Sequence, residues 1–241
     1  MAVKPVRLNA AIAWLFIIGA ALFVLGSVPA YLNAVGTTAD SITYFAGSIF
    51  FTAASFTQLV QAQTPAMTEA DAESQYVPTP IRWRAWLPHD RNWLAAITQF
   101  PGTIFFNIST LAALAHNLTA QQQDRRVWRP DFYGSTLFLI SSAFAILAVR
   151  ASLNSRLRSF PWWIAWLNMI GSILFMASAL ASFVLPATGE LINSRTSIIG
   201  TLLGAACFLF GAILMLPAWR YAVRSTSSPR PEDPQHQRSS Q

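Results

Sequence analysis

The feature that most constrains this chain is a series of long, uncharged apolar blocks. Six of them, at 9–32, 41–62, 93–115, 132–149, 160–185 and 196–219, contain no Asp, Glu, Lys, Arg or His. Each reaches or exceeds the ~18 apolar residues that mark a candidate membrane-spanning helix. In a soluble protein such helices would have no polar face to turn to water. Charged residues make up only 11% of the chain, against roughly 25% for soluble domains. The fold class read from this pattern is an all-α polytopic membrane protein with six transmembrane helices. The first block follows Lys4 and Arg7, as a signal peptide's would. Its apolar run outlasts the ~7–15 residues of a signal-peptide core, so it is read as a retained helix.

Flanking residues support the spans and orient them. Trp14, Trp83, Trp86, Trp93, Trp128, Trp162, Trp163, Trp166 and Trp219 lie near block ends or in flanking segments, where an indole buries its ring and keeps its N–H wet. With the N-terminus cytoplasmic, that side receives Lys4, Arg7, Arg82, Arg84, Arg91, Arg150, Arg156, Arg158, Arg220, Arg224, Arg230 and Arg238. The far side receives Arg125, Arg126, Arg129 and Arg195. Twelve against four places both termini in the cytoplasm of a multi-pass cell-membrane protein. The 125–129 cluster is the dissenting loop, partly neutralised by Asp124 and Asp131.

The expected organisation is a cytoplasmic N-terminus (1–8), a first three-helix half (9–115) containing a cytoplasmic loop (63–92), an external loop (116–131), a second three-helix half (132–219) and a disordered cytoplasmic tail (220–241). The loop begins acidic at Glu69, Asp71 and Glu73 and ends in "RWRAWLPHDRNW". That second part reads as an interfacial segment whose Arg82, Arg84 and Arg91 meet anionic headgroups. The net charge of +6 is therefore a membrane-facing property, and no basic array suits nucleic acid. The tail "STSSPRPEDPQHQRSSQ" is rich in Pro, Ser and Gln, a composition that cannot build a core.

One motif recurs in all six blocks. It reads "GAALFVLGS" from Gly19, "GSIFFTAAS" from Gly47, "GTIFFNIST" from Gly102, "GSTLFLISS" from Gly134, "GSILFMASA" from Gly171 and "GAACFLFGA" from Gly204. Counting each glycine as zero, phenylalanine stands at offset four: Phe23, Phe51, Phe106, Phe138, Phe175 and Phe208. A small residue follows at offset seven. Offsets zero, four, seven and eight fall at about 0°, 40°, 340° and 80° around a helix, on one face. Small residues allow close backbone approach between membrane helices, and hydroxyls such as Ser48, Thr103, Ser135 and Ser172 can bond across the seam. The stripe is read first as a packing code. The competing reading is a substrate path lined by hydroxyls and rings.

The repeats can be grouped in two ways. Block one resembles block four (Gly19/Gly134, Phe23/Phe138, Ser27/Ser142), block two resembles block five (Gly47/Gly171, Ser48/Ser172), and block three resembles block six (Gly102/Gly200, Thr103/Thr201). This suggests an inverted 3+3 repeat. Three two-helix units describe the chain nearly as well. The run "WRPDFYGSTLFLISS" through "GSILFMASALASF" to "GTLLGAACFLFGAILMLP", 128–217, resembles the YrhK-like family of small bacterial membrane proteins. The resemblance implies paired apolar helices carrying Gly-Ser-x-x-Phe motifs and a membrane location. It implies no established chemistry and supplies no catalytic residues.

Residues that carry chemistry are scarce. No block holds an ionisable group of the kind that marks proton relays or coupled transport. The polar side chains inside the blocks are headed by Gln58, Gln99, Asn107 and Asn168. Asn107, beside Ser109 and Thr110, is the expected polar centre, bonding between helices. His89, His116 and His236 have no metal-ligand spacing, and Cys207 is the one cysteine, best read as a small buried hydrophobe. Asp90 is expected to cap the helix that follows it. "NLT" at Asn117 has the form of a glycosylation acceptor, a pattern common by chance. No nucleophile elbow, P-loop or dinucleotide fingerprint occurs. Neither a cofactor nor a metal is expected, nor an enzymatic activity, and homo-oligomerisation stays open. A structural or accessory membrane protein ranks first, a small transporter or channel for a neutral or weakly polar solute second, and an intramembrane enzyme third.

Overall fold

The computed structural model describes residues 1–64, 74–115, 117–152 and 159–226. Among the described residues the regular structure is helical apart from one pair of two-residue strands and one isolated bridge. Six long helices follow in order: α1 (Pro5–Gly26), α2 (Pro29–Ala62), α3 (Arg91–Ala112), α4 (Arg129–Ser152), α5 (Phe160–Ala181) and α6 (Ser194–Thr226). Four stretches are long and apolar enough to cross a membrane: Pro5–Gly26, Ala120–Arg150, Phe160–Ala181 and Ser194–Ala218. α2 and α3 are the more polar helices, and much of that polarity points inward. Thr43, Ser48, Ser55, Thr103 and Ser109 are all buried.

Several boundaries depart from the sequence reading for local reasons. The first block does not run to residue 32. α1 ends at Gly26 and the chain turns so that Pro29 opens α2, where its fixed φ and missing N–H cost nothing. Gly36, at φ 81°, interrupts α2 about two turns later. The stretch 116–131, expected as a loop, is mostly helical. Thr119 and Gln122 form a reciprocal capping box that starts the turn Ala120–Gln123, and a π-helical turn, Asp124–Trp128, leads on into α4. A proline ring clashes with the carbonyl four residues before it, and the widened turn lies just upstream of Pro130. α5 ends at Ala181 instead of reaching 185. Beyond it a short hairpin closes through the bridge Val184–Leu191, with Gly189 at φ 74°. α6 continues to Thr226, so the first residues of the expected tail are helical, and 227–241 lie outside the described residues.

The N-terminus is tied to the long loop. Ala2–Val3 pairs antiparallel with Thr79–Pro80, Ile81 N donates to Met1 O at 3.1 Å, and Arg82 N donates to Thr64 Oγ1 at 3.1 Å. These bonds hold the loop's second part against the start of α1 and the end of α2. The acidic first part (Glu69, Asp71, Glu73) lies outside the described residues.

The helices close into a ring in chain order, each packed on its two sequence neighbours, with α6 returning to α1. The tightest contacts are α1 on α2, α3 on α4 and α5 on α6. In each pair the two motif glycines meet and each phenylalanine covers the partner's glycine. A Cβ on Gly19 would lie 2.8 Å from the Phe51 ring and 3.0 Å from Gly47 O, and one on Gly47 would lie 2.8 Å from the Phe23 ring. Gly102 and Gly134 face Phe138 and Phe106, and Gly171 and Gly204 face Phe208 and Phe175, in the same way. Partners thus advance in opposite directions along the chain, which makes each pair an antiparallel hairpin. The tightest contacts of the ring therefore join the helices in twos.

Candidate functional site

The six motif phenylalanines converge on the axis of the ring. Phe51, Phe138 and Phe208, from α2, α4 and α6, touch one another with ring centroids 5.6–6.4 Å apart. Phe175 from α5 touches both Phe23 of α1 and Phe106 of α3 at 6.1 and 5.9 Å. Within each hairpin the two rings meet at 5.7, 5.1 and 5.2 Å. The rings thus form two stacked layers, each hairpin giving one ring to each. Most pairs are edge-to-face or tilted, the arrangements aromatic quadrupoles favour. A void bounded by Phe23, Phe51, Phe106, Phe138, Phe175 and Ser48 is about 10 Å³, barely the space for one water.

On one side of this plug lies a polar chamber of about 60 Å³. Its lining includes Gln58 from α2, Gln99 from α3 and Asn168 from α5, with Phe16, Phe208 and Met215 between them. Three of the four intramembrane amides read from the sequence therefore share one cavity, and the fourth, Asn107, does not. Gln99 Oε1 accepts from Ser141 Oγ at 3.3 Å, whereas Gln58 Oε1 is buried with no partner among the described residues. The chamber has no charged side chain in its lining. It can offer amide donors and acceptors to water or to a small neutral solute, and it has room for only a few water-sized molecules.

Asn107 sits in the seam between α2 and α3. Its Nδ2 donates to Thr52 Oγ1 at 2.8 Å, and one turn on, Thr110 Oγ1 and Ser48 Oγ are 3.0 Å apart. Asn107 Oδ1 is buried without a partner among the described residues. Ser109 turns the other way and donates to Val127 O of the π-helical turn at 2.9 Å. The expected polar centre is thus divided: Asn107 and Thr110 join two helices, and Ser109 anchors a third segment.

Other candidates resolve locally. Asp90 accepts from Asn92 N and Trp93 N at 2.8 and 3.3 Å and caps α3. Trp93 departs from the belt pattern, being 3% exposed with its Nε1 unpartnered among the described residues. Arg91 donates to Leu147 O at 2.9 Å, and Arg82, Arg84 and Arg91 are all exposed. Asp40, one residue before the second block, is buried with Oδ1 unpartnered among the described residues. Cys207 is half-buried, and no metal-holding cluster occurs among the described residues. His116 and His236 lie outside them.

Comparison of the chain with protein-family models, with curated proteins and with solved structures finds no match.

Proposed function

We propose that this chain is a multi-pass cell-membrane protein of structural or accessory role, with all six helices crossing the bilayer and both termini cytoplasmic. The observation that carries the reading is the closed axis, whose double layer of phenylalanines leaves about 10 Å³. A conduit needs a continuous wetted path or oxygen ligands, and neither continues through these rings. Ring closure supports six spans. α2 packs between α1 and α3, and α3 between α2 and α4, so neither can lie apart from its spanning neighbours. At 22 residues α3 rises about 33 Å, enough for a hydrocarbon core of ~30 Å. Arg82 and Arg84 meet anionic headgroups at the cytoplasmic face. Membership of the YrhK-like family is part of this reading, supported by the paired helices with their Gly-Ser-x-x-Phe seams.

A second reading, passage of a small neutral solute, draws on the three amides of the chamber. One experiment separates the two. Proteoliposomes holding the full chain are expected to pass urea and glycerol no faster than protein-free vesicles, and a saturable flux would replace the accessory reading with a transporter. Orientation is tested by single cysteines at Gln121 and Thr188 in a Cys207→Ala background. Both should react with an impermeant thiol reagent from outside intact cells, and labelling only after lysis overturns the proposed topology.

A further inference from the structure

The polar chamber is shut on one side by the phenylalanine plug. Its other side faces the end of the ring where the N-terminus is tethered. In that direction α1 presents Phe16 in the chamber lining, then Ile12 and Leu8, both buried. On α2, Gln58 in the lining is followed by Gln61, whose Nε2 donates to Asn9 Oδ1, and then by Thr64. These last turns stand at the end of the bundle, yet Pro5 is fully buried and Thr64 is 2% exposed. They are covered by the loop's second part. Val3 and Ile81 pack against the buried cluster that holds Leu8, Ile12 and Phe16, and the turn Ser74–Tyr76 packs on α1.

This cover is built into the connectivity and is lightly held. α2 and α3 are neighbours in the ring, and a connection of about 2–8 residues would join such helices. The chain between them, 63–90, instead reaches the start of α1 before α3 begins. The bonds that keep it there are the two-residue strand pair, Ile81 N on Met1 O and Arg82 N on Thr64 Oγ1. A lone two-stranded pairing is marginal in water, and an element held by so few bonds opens locally while the rest stays folded. At the same end Gln63 Oε1 is buried with no partner among the described residues, an acceptor whose desolvation penalty opening would relieve. We propose that the strand pair is a latch on the polar chamber. Closed, it seals the chamber from the aqueous phase at the tethered end. Open, it admits water and water-sized neutral solutes to Gln58, Gln99 and Asn168 while the plug stays shut. The latch needs only the ring geometry and so stands under either reading of the function.

The test is hydroxyl-radical footprinting of the full chain in detergent, with oxidation of Met215 in the chamber lining read by mass spectrometry against the exposed Trp86. In the original chain Met215 should react several-fold more slowly than Trp86. Thr64→Val, which removes the anchor of Arg82 N, should raise the Met215 rate several-fold. Val3→Asp, which sets a charge where an apolar side chain packs, should raise it further, with Met176, next to Phe175 of the plug, unchanged in both. Should Val3→Asp fail to fold, Thr64→Val decides alone. A Met215 that reacts as fast as Trp86 in the original chain overturns the latch. So does one that stays protected when the latch is broken, which would leave the seal to Ile12 and Leu8. A parallel rise at Met176 would mean that the ring itself loosens, and overturns it as well.

Discussion

The seams within hairpins and the seams between them use the same nine-residue motif on different faces. Inside a hairpin, offsets zero and four do the work, glycine against glycine with each ring over the partner's backbone. Between hairpins, hydroxyls at offsets one and eight meet: Ser48 with Thr110 at 3.0 Å, and Ser172 with Ser142 at 2.9 Å. Offsets one and eight lie at about 100° and 80° on a helix, so they form a second face beside the first. The six residues at offset one, Ala20, Ser48, Thr103, Ser135, Ser172 and Ala205, are all 1% exposed or less. The third inter-hairpin seam, α6 on α1, has alanine at offset one on both helices. Backbone contact therefore joins every hairpin, with hydroxyl bonds beside it (Ser27 with Tyr44, Ser141 with Ala95 O, Ser178 with Thr201), whereas the boundaries lack the glycine contact and, among the described residues, two of the three are joined by hydroxyl bonds, which ranks the seams by strength.

That ranking can be broken by substitution. Gly204→Leu should have the largest effect, because even a Cβ there lies 2.6 Å from the Phe175 ring and 3.0 Å from Gly171 O. Overpacking by extra methylenes costs ~1–3 kcal/mol and occasionally more, and a whole leucine side chain against backbone belongs at or beyond the top of that range, so loss of the monodisperse peak in detergent gel filtration is expected. Next is Phe138→Ala, which removes a ring touching Phe51, Phe106 and Phe208; a loss of about 3 kcal/mol is expected, read as a lowered melting temperature. Asn107→Leu should cost on the order of 1 kcal/mol, with non-additive coupling to Thr52→Val in a double-mutant cycle. The smallest effect sharpens the comparison most. Ser172→Ala should cost ~0.6 kcal/mol, the average for interhelical polar contacts, while Ser135→Ala should be neutral or stabilising, since its buried Oγ has no partner among the described residues. If Gly204→Leu proves no worse than Ser172→Ala, the distinction between seams fails.

Helix number and the Gly–Phe face were legible because both are periodic properties of single segments. Pairing was not. When Gly19, Gly47, Gly102, Gly134, Gly171 and Gly204 open nearly identical motifs, internal similarity relates any helix to any other, and only contact shows which ones meet. The hydroxyls at offset one were legible as groups able to bond across a seam, but not as a face of their own, because a Ser or Ala beside glycine looks like more of the same small stripe. The amide chamber was hidden for a geometric reason. Gln99 and Asn168 each lie three residues before their motif glycine and Gln58 eleven after its own, and these positions reach one depth only once neighbouring helices run antiparallel. Asn107 drew attention through its polar neighbours, yet those neighbours face different segments. The helical lead-in to α4 was masked by "QQQDRRVWRPD", whose polarity suggests a loop and whose Thr119–Gln122 box sits outside any apolar window.

Ring closure makes the order of the hairpins along the chain geometrically redundant. α1 meets α6 much as α3 meets α2 and α5 meets α4, so the start of α1 and the end of α6 come to the same end of the bundle. A circularly permuted gene, opened within 65–73 and spliced from residue 226 to Met1 by a flexible linker, would encode α3 first and α2 last while specifying the same six-ring core. What the native connectivity adds is the strand pair between Ala2–Val3 and Thr79–Pro80, a clasp that such a rearrangement would have to re-form across its new ends.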